Sequence, residues 1–293
     1  MDSGFFEDSI GFPNLGISLP HVGRSVRIFG LEIAFYGIII ALAMLCGIYL
    51  VLWIAKKTGQ DPDVYFDFAL IAVFLSVIGA RIYYVIFSWD YYGKHPLEIL
   101  DFRGGGLAIY GGVITGALVG VVFARRKKIP LLKLLDTSMP GVILGQCIGR
   151  WGNFFNREAF GEYTNAVTAM RLPLSAVNEA DVTEKMLSNT LMAGDVTCIQ
   201  VHPTFLYESL WCLAVLSALL AVTFRMKKRK QGTVFLLYLF GYGLGRLWIE
   251  GLRTDQLKLA FTGLPVSQML SLVMVITSAA VLIIRGRRGR QNT

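Results

Sequence analysis

Apolar residues fall in long blocks along this chain, and short polar stretches separate the blocks. Each block has about 20 mainly apolar residues, the length that a helix needs to cross the hydrocarbon of a bilayer. The blocks lie at 31–54, 65–87, 107–124, 131–150, 204–224, 232–251 and 266–284. The pattern therefore predicts an all-α integral membrane protein, a bundle of about seven transmembrane helices with the whole chain 1–293 as one polytopic domain.

The composition agrees with that class. Hydrophobic residues make up 54% of the 293 residues and charged residues only 16%, whereas a soluble domain has about 25% charged residues. Four cysteines show no metal-ligand spacing, and three of them fall in apolar runs, where a small buried hydrophobic residue is the simpler interpretation. We expect neither a disulfide framework nor a metal site.

Basic residues mark alternate connections between the blocks. They lie at 56–57, 125–128, 225–230 and 285–290, whereas the other connections are mixed or acidic. Because basic loops stay in the cytoplasm, the N-terminus is predicted outside and the C-terminus inside. The net charge of +8 is thus explained by topology and lipid headgroups, and it does not indicate nucleic-acid binding.

The connection 156–203 is long for a link between two helices of a bundle. It contains several acidic residues, and residues 167–172 have the composition of a short strand. We expect 156–203 to form a small extracytoplasmic head inserted between the fourth and fifth spans.

Under this topology the polar groups of the blocks all fall in the outer half of the membrane. They are Tyr36, Arg81, Tyr110, Arg150, Asn153, His202, Tyr207, Glu208, Tyr242, Arg246 and Glu250. Scattered structural polar residues would have no reason to share one depth. The pattern therefore predicts a single polar cavity that opens to the outer face or the outer leaflet.

The sixth block places four polar residues on one helix face, because Tyr242, Arg246, Glu250 and Arg253 are four, four and three positions apart. A charge at membrane depth costs about 2.5–3.5 kcal/mol on insertion scales. One interpretation is an Arg–Glu pair that satisfies itself within the bundle. The other is an anion site, since several arginines in one cavity would need a bound phosphate to balance them.

The stretch Gly149–Gly161 follows a mostly apolar run, yet it contains two Arg, two Asn and one Glu. Arg offers a planar fork of donors that suits phosphate, and Asn adds a donor and an acceptor. This favours a site for an anionic headgroup at the membrane edge. The alternative is a structural Arg–Glu pair beside a helix end.

These motifs resemble the signature of the bacterial prolipoprotein diacylglyceryl transferases, and the resemblance covers nearly the whole chain. It rests on Tyr36-Gly37, Gly79–Tyr84, Gly104–Gly106, Tyr110–Gly112, Arg150–Glu158 with Gly161, His202–Thr204, Tyr207-Glu208 and Tyr242 through Arg246 and Glu250 to Arg253. The resemblance implies a multi-pass protein of the bacterial cytoplasmic membrane. It implies transfer of a diacylglyceryl group from phosphatidylglycerol to the lipobox cysteine of a preprolipoprotein, with release of glycerol phosphate.

Residue roles follow from the same resemblance. Arg150 and Arg246 would bind the headgroup as essential arginines. The residues that would line the site are Tyr36, Asn153, Glu158, Gly161, Tyr242 and Glu250. We also count Arg81 among the substrate-binding residues because of its predicted depth. No cofactor is required, since the lipid carries its own leaving group.

This chain departs from the family pattern at Tyr110, where many members carry a histidine that is proposed as the base for the thiol. A phenol ordinarily ionises near pH 10, about three units above neutrality. The base could therefore be Tyr110, Glu158 or Glu250, or the thiol could ionise without a dedicated base.

A different class of protein also clusters arginines within a membrane bundle, namely a transporter or channel for an anionic solute or lipid. Such a protein would carry polar groups through both halves of the membrane and often repeated halves. The inner half of this chain is comparatively apolar, so the transferase is the favoured prediction.

Overall fold

The computed structural model describes residues 5–101, 105–226, 229–259 and 263–290, and its side chains up to 287. Gly104 of the predicted glycine motif lies outside the described residues, as do Lys227 and Lys228 of one basic loop. The chain folds into two compact units. The first comprises Met1–Gly47, Val142–Arg229 and Leu236–Thr293, and the second comprises Ile48–Gly141 and Lys230–Phe235.

Each predicted apolar block contains a long helix. The helices are α1 (Phe35–Lys57), α2 (Pro62–Phe87), α3 (Ile109–Arg126), α4 (Leu131–Asn156), α5 (Thr204–Arg225), α6 (Thr233–Glu250) and α7 (Val266–Arg290). Within the described ranges, six of them are long and apolar enough to cross a membrane. The exception is α6, which carries Arg246 and Glu250. A multi-pass membrane protein is thereby confirmed, and the count of seven spans stays a prediction.

The prediction of an all-α fold was wrong, because the chain also forms a five-stranded antiparallel sheet. The strands of the described residues are β1 (Ile10–Phe12), β2 (Ile17–Leu19), β3 (Ser25–Ile28), β4 (Leu31–Ala34), β5 (Met170–Pro173), β6 (Leu191–Ala193) and β7 (Val196–Val201). Of these, β3 and β4 form a separate hairpin. The sheet has the order β2-β1-β5-β7-β6. Strands of three to six residues are too short to show a clear alternation, and β1 pairs with β5 far along the chain.

The first span begins later than predicted, because residues 31–34 form strand β4. At the tip of its hairpin, Phe29 and Gly30 adopt left-handed φ angles of 50° and 81°, which reverse the chain. The backbone N–H of Phe35 then donates to the carbonyl of Arg24 at 2.9 Å and closes the hairpin at the point where α1 begins.

The core of the sheet includes a residue from the start of helix α5. Phe160, Leu172, Met186 and Ile199 are at most 1% exposed, and they pack in one cluster with Phe205 of α5. Complete burial of such a side chain stabilises a fold by roughly 1.5–3 kcal/mol. This cluster fixes the sheet against the start of α5, where the candidate site lies.

The second unit has its own core, which includes Tyr65, Phe123 and Leu134. Asp136 is 6% exposed and accepts hydrogen bonds from the backbone N–H groups of Gly232 at 2.8 Å and Phe235 at 2.9 Å. It thereby caps the N-terminus of α6, which explains the carboxylate in the fourth apolar block.

Candidate active site

The chain leaves α4 through a tight corner at the end of the signature stretch. Arg157 and Ala159 have φ angles of 55° and 54°, which turn the backbone away from the helix axis. Arg157 is 3% exposed, and its guanidinium donates to the backbone carbonyls of Asp8, Val22 and Phe155. This arginine is therefore structural, since it ties the end of α4 to the N-terminal segment.

Gly161 lies where three segments of backbone meet. Its N–H donates to His202 at 3.0 Å, and the next N–H, that of Glu162, donates to Leu252 at 2.9 Å. A Cβ at position 161 would lie 2.8 Å from both the His202 Cβ and the Leu252 carbonyl oxygen, so only glycine fits. The glycine also forms a bridge with Arg253 and so helps to position it.

Small residues bring α5 and α6 close together. The indole N–H of Trp211 donates to the carbonyl of Gly241 at 2.8 Å, and a Cβ on Gly245 would lie only 2.3 Å from the same indole. Glycines four positions apart let two membrane helices approach closely. Glu208 of α5 is thereby held beside Arg246 of α6.

Two arginines from different helices contact the carboxylate of Glu208. Arg150 of α4 places Nη2 2.5 Å from Glu208 Oε2, and Arg246 donates from Nη1 to Oε1 at 2.9 Å. The second nitrogen of Arg246 lies 2.5 Å from Glu250 Oε2, while Ser267 donates to Glu250 Oε1 at 2.5 Å. Both carboxylates are 4% exposed, so the ion pairs are held in a site of low dielectric.

A third arginine completes the cluster from just beyond α6. Arg253 donates to both oxygens of Asp255, at 2.8 and 2.6 Å, and its Nη1 lies 3.6 Å from Glu208. Burial alone would lower the pKa of Arg253, but the hydrogen bonds to Asp255 and the nearby charge of Glu208 raise it above its ordinary value. Burial would raise the pKa of Asp255, yet the hydrogen bonds from Arg253 bring it below its usual range.

The cluster is balanced in charge, contrary to the expectation of uncompensated arginines. Its charged members are Arg150, Arg246, Arg253, Glu208, Glu250 and Asp255. Each guanidinium has a carboxylate within 3 Å, and the Arg246–Glu250 pair predicted as the self-satisfied alternative is present. The expectation failed because Glu250 pairs with Arg246 and because Asp255, which had not been counted, pairs with Arg253.

Arg81 belongs to the second unit, where it donates hydrogen bonds to backbone carbonyls. Its guanidinium donates to the carbonyls of Glu98 at 2.5 Å, Ile99 at 2.9 Å, Gly105 at 2.8 Å and Gly106 at 3.1 Å. The side chain is 4% exposed. These contacts hold the connection between α2 and α3 in place, whereas its predicted role in substrate binding stays a prediction.

Tyr110 is the second residue of α3, also in the second unit, and it is half-buried. The next residue, Gly111, lies where α2 and α3 touch, since a Cβ there would be 2.5 Å from the Gly79 carbonyl oxygen. The glycine therefore serves helix packing. The catalytic role of Tyr110 stays a prediction.

The remaining predicted site residues lie in the first unit. The Tyr36 ring packs on Gly152, where a Cβ would approach it to 2.7 Å. Asn153 donates from Nδ2 to Glu158 Oε1 at 2.8 Å, and Asn156 donates to Oε2 of the same carboxylate at 3.3 Å. Tyr242 stacks on Tyr238 with ring centroids 5.7 Å apart.

A polar cavity of about 500 Å³ lies within the first unit. Residues that line it include Asn153, Asn156, Glu158, Asp181, Arg253 and Asp255. Arg253 and Asp255 belong to the ion-pair cluster, so the cavity reaches the cluster at this pair. A volume of this size suits a small polar headgroup.

Several residues of the cluster and the cavity were not among the predicted site residues. They include Asn156, Glu208, Arg253, Asp255 and Asp181. Glu208 was counted among the polar groups of the predicted cavity but received no role, although an acidic residue inside an apolar helix needs a buried cation. Asp181 gives no such signal, since it lies in a polar connection where a carboxylate is ordinary.

The chain is similar to one group of known proteins over most of its length. A family model described as prolipoprotein diacylglyceryl transferase matches residues 24–284. A phosphatidylglycerol–prolipoprotein diacylglyceryl transferase of Streptococcus agalactiae is 43% identical over 248 residues, which is 85% of this chain and 90% of the relative. Proteins of the same name from a Nostoc species and from Bacillus cereus are 41% and 39% identical, over 83% of this chain and 82% and 86% of the relatives.

Proposed function

The chain belongs to the prolipoprotein diacylglyceryl transferase family, and from that premise we propose that it moves the diacylglyceryl group of phosphatidylglycerol onto the lipobox cysteine of preprolipoproteins. The products are a thioether and glycerol phosphate. The protein acts in the bacterial cytoplasmic membrane, with its N-terminus and the polar cavity on the outer side. The basic connections after α1, α3, α5 and α7 support this orientation.

One observation carries the proposal. Arg150 and Arg246, from two different helices, meet on Glu208, and Arg253, which lies 3.6 Å from the same carboxylate, lines a polar cavity. A guanidinium has five N–H donors, so each arginine keeps donors for a phosphate after its contacts with carboxylates. A transporter or channel is not favoured, because the relatives that the chain resembles are named as transferases.

The proposed reaction needs no covalent bond between the protein and its substrates. A thiolate attacks an sp³ carbon of the lipid's glycerol backbone, the S–C bond forms, and the C–O bond to the phosphate breaks. A thiol with a pKa of about 8.5 is a few per cent ionised at pH 7 and already a good nucleophile. The main demand is stabilisation of the charge on the departing phosphate, and we assign that role to Arg150 and Arg246.

The surrounding residues hold this arrangement. Glu250, fixed by Ser267, orients Arg246. Asn153 and Tyr242 bind the glycerol headgroup or orient the arginines, and Gly161 keeps the chain beside Arg253. Tyr36 lines the same site from α1, and Glu158 faces the cavity.

The test is reconstitution. Purified protein in phosphatidylglycerol vesicles receives a synthetic lipobox peptide, and mass spectrometry detects the diacylglyceryl thioether and free glycerol phosphate. The matched controls are a peptide with serine in place of the cysteine and vesicles of phosphatidylcholine alone. We expect both products only with the cysteine peptide and phosphatidylglycerol, and their absence there would refute the proposed function.

A further inference from the structure

The proton acceptor for the lipobox thiol is unassigned. The carboxylates near the cavity differ in the ion pairs and hydrogen bonds that they already form. Glu208 and Glu250 are buried in ion pairs with arginines. Asp255 accepts two hydrogen bonds from Arg253, and Glu158 accepts one from each of two asparagine amides. A carboxylate whose oxygens already accept strong hydrogen bonds is a poor proton acceptor.

Asp181 is different. It lines the same cavity as Asn153 and Arg253, yet none of the described residues donates a hydrogen bond to its carboxylate, and Arg253 acts on it only at longer range. Its oxygens are therefore available to a substrate in the cavity.

The backbone holds Asp181 in a fixed place. It ends the short turn Glu179–Asp181, and Asn178 caps the turn by accepting from the N–H of Ala180 at 3.2 Å. Two residues later the hydroxyl of Thr183 donates to Glu162 at 2.7 Å. A carboxylate on a turn that is anchored at both ends can be aimed at a substrate.

We propose that Asp181 is a catalytic residue that removes the proton from the lipobox thiol in the reaction proposed above, on which this assignment rests. The S–H proton passes to the Asp181 carboxylate as the sulfur attacks the glycerol carbon. The electron pair of the broken C–O bond leaves with glycerol phosphate, and Asp181 then releases the proton to water. Atoms and charge balance without any other reactant.

The electrostatic surroundings agree with this role. Burial raises the pKa of the Asp181 carboxyl, and so do the negative charges of Asp255 and Glu158, while Arg253 opposes them. A raised pKa brings the carboxylate closer to the thiol in proton affinity, which makes it a better base.

The experiment compares Asp181→Asn with Glu179→Gln, a matched change at an exposed residue of the same turn. The reconstituted assay is run between pH 6 and pH 9 with the cysteine peptide. We expect Asp181→Asn to lose activity on the order of 30-fold at pH 7, because it then depends on the small ionised fraction of a thiol with a pKa of about 8.5. The deficit should shrink as the pH approaches 9, and Glu179→Gln should behave as wild type.

A selenocysteine lipobox peptide separates a base from a structural residue, since a selenol ionises at neutral pH without help. Asp181→Asn should regain nearly wild-type turnover with this peptide. Wild-type activity of the variant on the cysteine peptide at pH 7, or an equal loss on both peptides, would overturn the assignment. Lack of turnover by the wild-type protein itself would instead refute the proposed function.

Discussion

Arg150 and Arg246 come from different helices, yet their guanidinium groups contact opposite oxygens of one carboxylate, that of Glu208, at 2.5 and 2.9 Å. The shared carboxylate holds the two guanidinium groups side by side, although their like charges repel each other. The side chains of Arg150 and Arg246 are 20% and 14% exposed, so both remain partly accessible. The pair is therefore arranged to receive a second anion, and we propose that this anion is the phosphate of the lipid.

The fork of Arg150 should matter as much as its charge. We expect Arg150→Lys to fail nearly as badly as Arg150→Ala in thioether formation, because lysine offers no planar pair of donors. Arg27→Lys, at an exposed position on β3, should retain wild-type activity. Near-normal turnover by Arg150→Lys would rule out bidentate binding of phosphate there.

Glu208 should be important for stability as well as for activity. Glu208→Gln removes the charge shared by three arginines, and loss of one partner from a buried ion pair typically costs about 3–5 kcal/mol. We expect a clearly lower midpoint of thermal unfolding in detergent than for wild type or Glu179→Gln. An unchanged midpoint would mean that the cluster tolerates an uncompensated cation.

Gly161 should tolerate no side chain. The added methyl group of Gly161→Ala would clash with His202 and with the backbone of Leu252, and such overpacking typically costs about 1–3 kcal/mol. Because this displacement moves Arg253, we expect losses of both stability and turnover. Gly286→Ala is the control, since nothing lies within 4 Å of a Cβ there. Wild-type behaviour of Gly161→Ala would contradict the tight packing at this bridge.

His202 should make stability depend on pH. Burial lowers the pKa of its imidazole, and the positive charge of Lys185 adds to this while Glu162 opposes it. In the unfolded chain the His202 imidazole has its ordinary pKa of about 6.5, so below that pH the unfolded chain binds the proton more readily than the folded protein. The free energy of unfolding therefore falls as the pH drops through that range. We expect unfolding midpoints from pH 8 to pH 5 to fall less steeply in His202→Gln than in wild type. Parallel curves would exclude His202 as the source.

The helices could be predicted from the sequence because a span of apolar residues is a local signal. The predicted block 204–224 corresponds to Thr204–Arg225, and the block 266–284 begins at the residue where α7 begins. The error at 31–34 arose because three of the four residues of β4 are apolar, so hydropathy alone could not distinguish a hairpin strand from the first turn of a span. The predicted strand at 167–172 overlaps β5, but the rest of the sheet was not predicted because its strands are short and come from distant parts of the chain.

The sequence singles out Arg150 and Arg246 and predicts the Arg246–Glu250 pair on one helix face, but it does not predict that both arginines meet on Glu208. Arg150 and Arg246 stand out as cations in apolar helices. The identity of their partner depends on how α5 packs against α6 through Gly241 and Gly245, which is a property of the fold. Arg81 shows the limit of the same reasoning, since a buried guanidinium can equally be satisfied by backbone carbonyls.

The most direct test of the central claim is an experimental structure of the protein in a lipid nanodisc with phosphatidylglycerol bound. We predict that the lipid phosphate lies within hydrogen-bond distance of both Arg150 and Arg246, with its glycerol headgroup in the cavity lined by Asn153 and Asp181. A phosphate bound away from both arginines, or one that contacts only Arg24 or Arg157 in the cavity, would contradict the account.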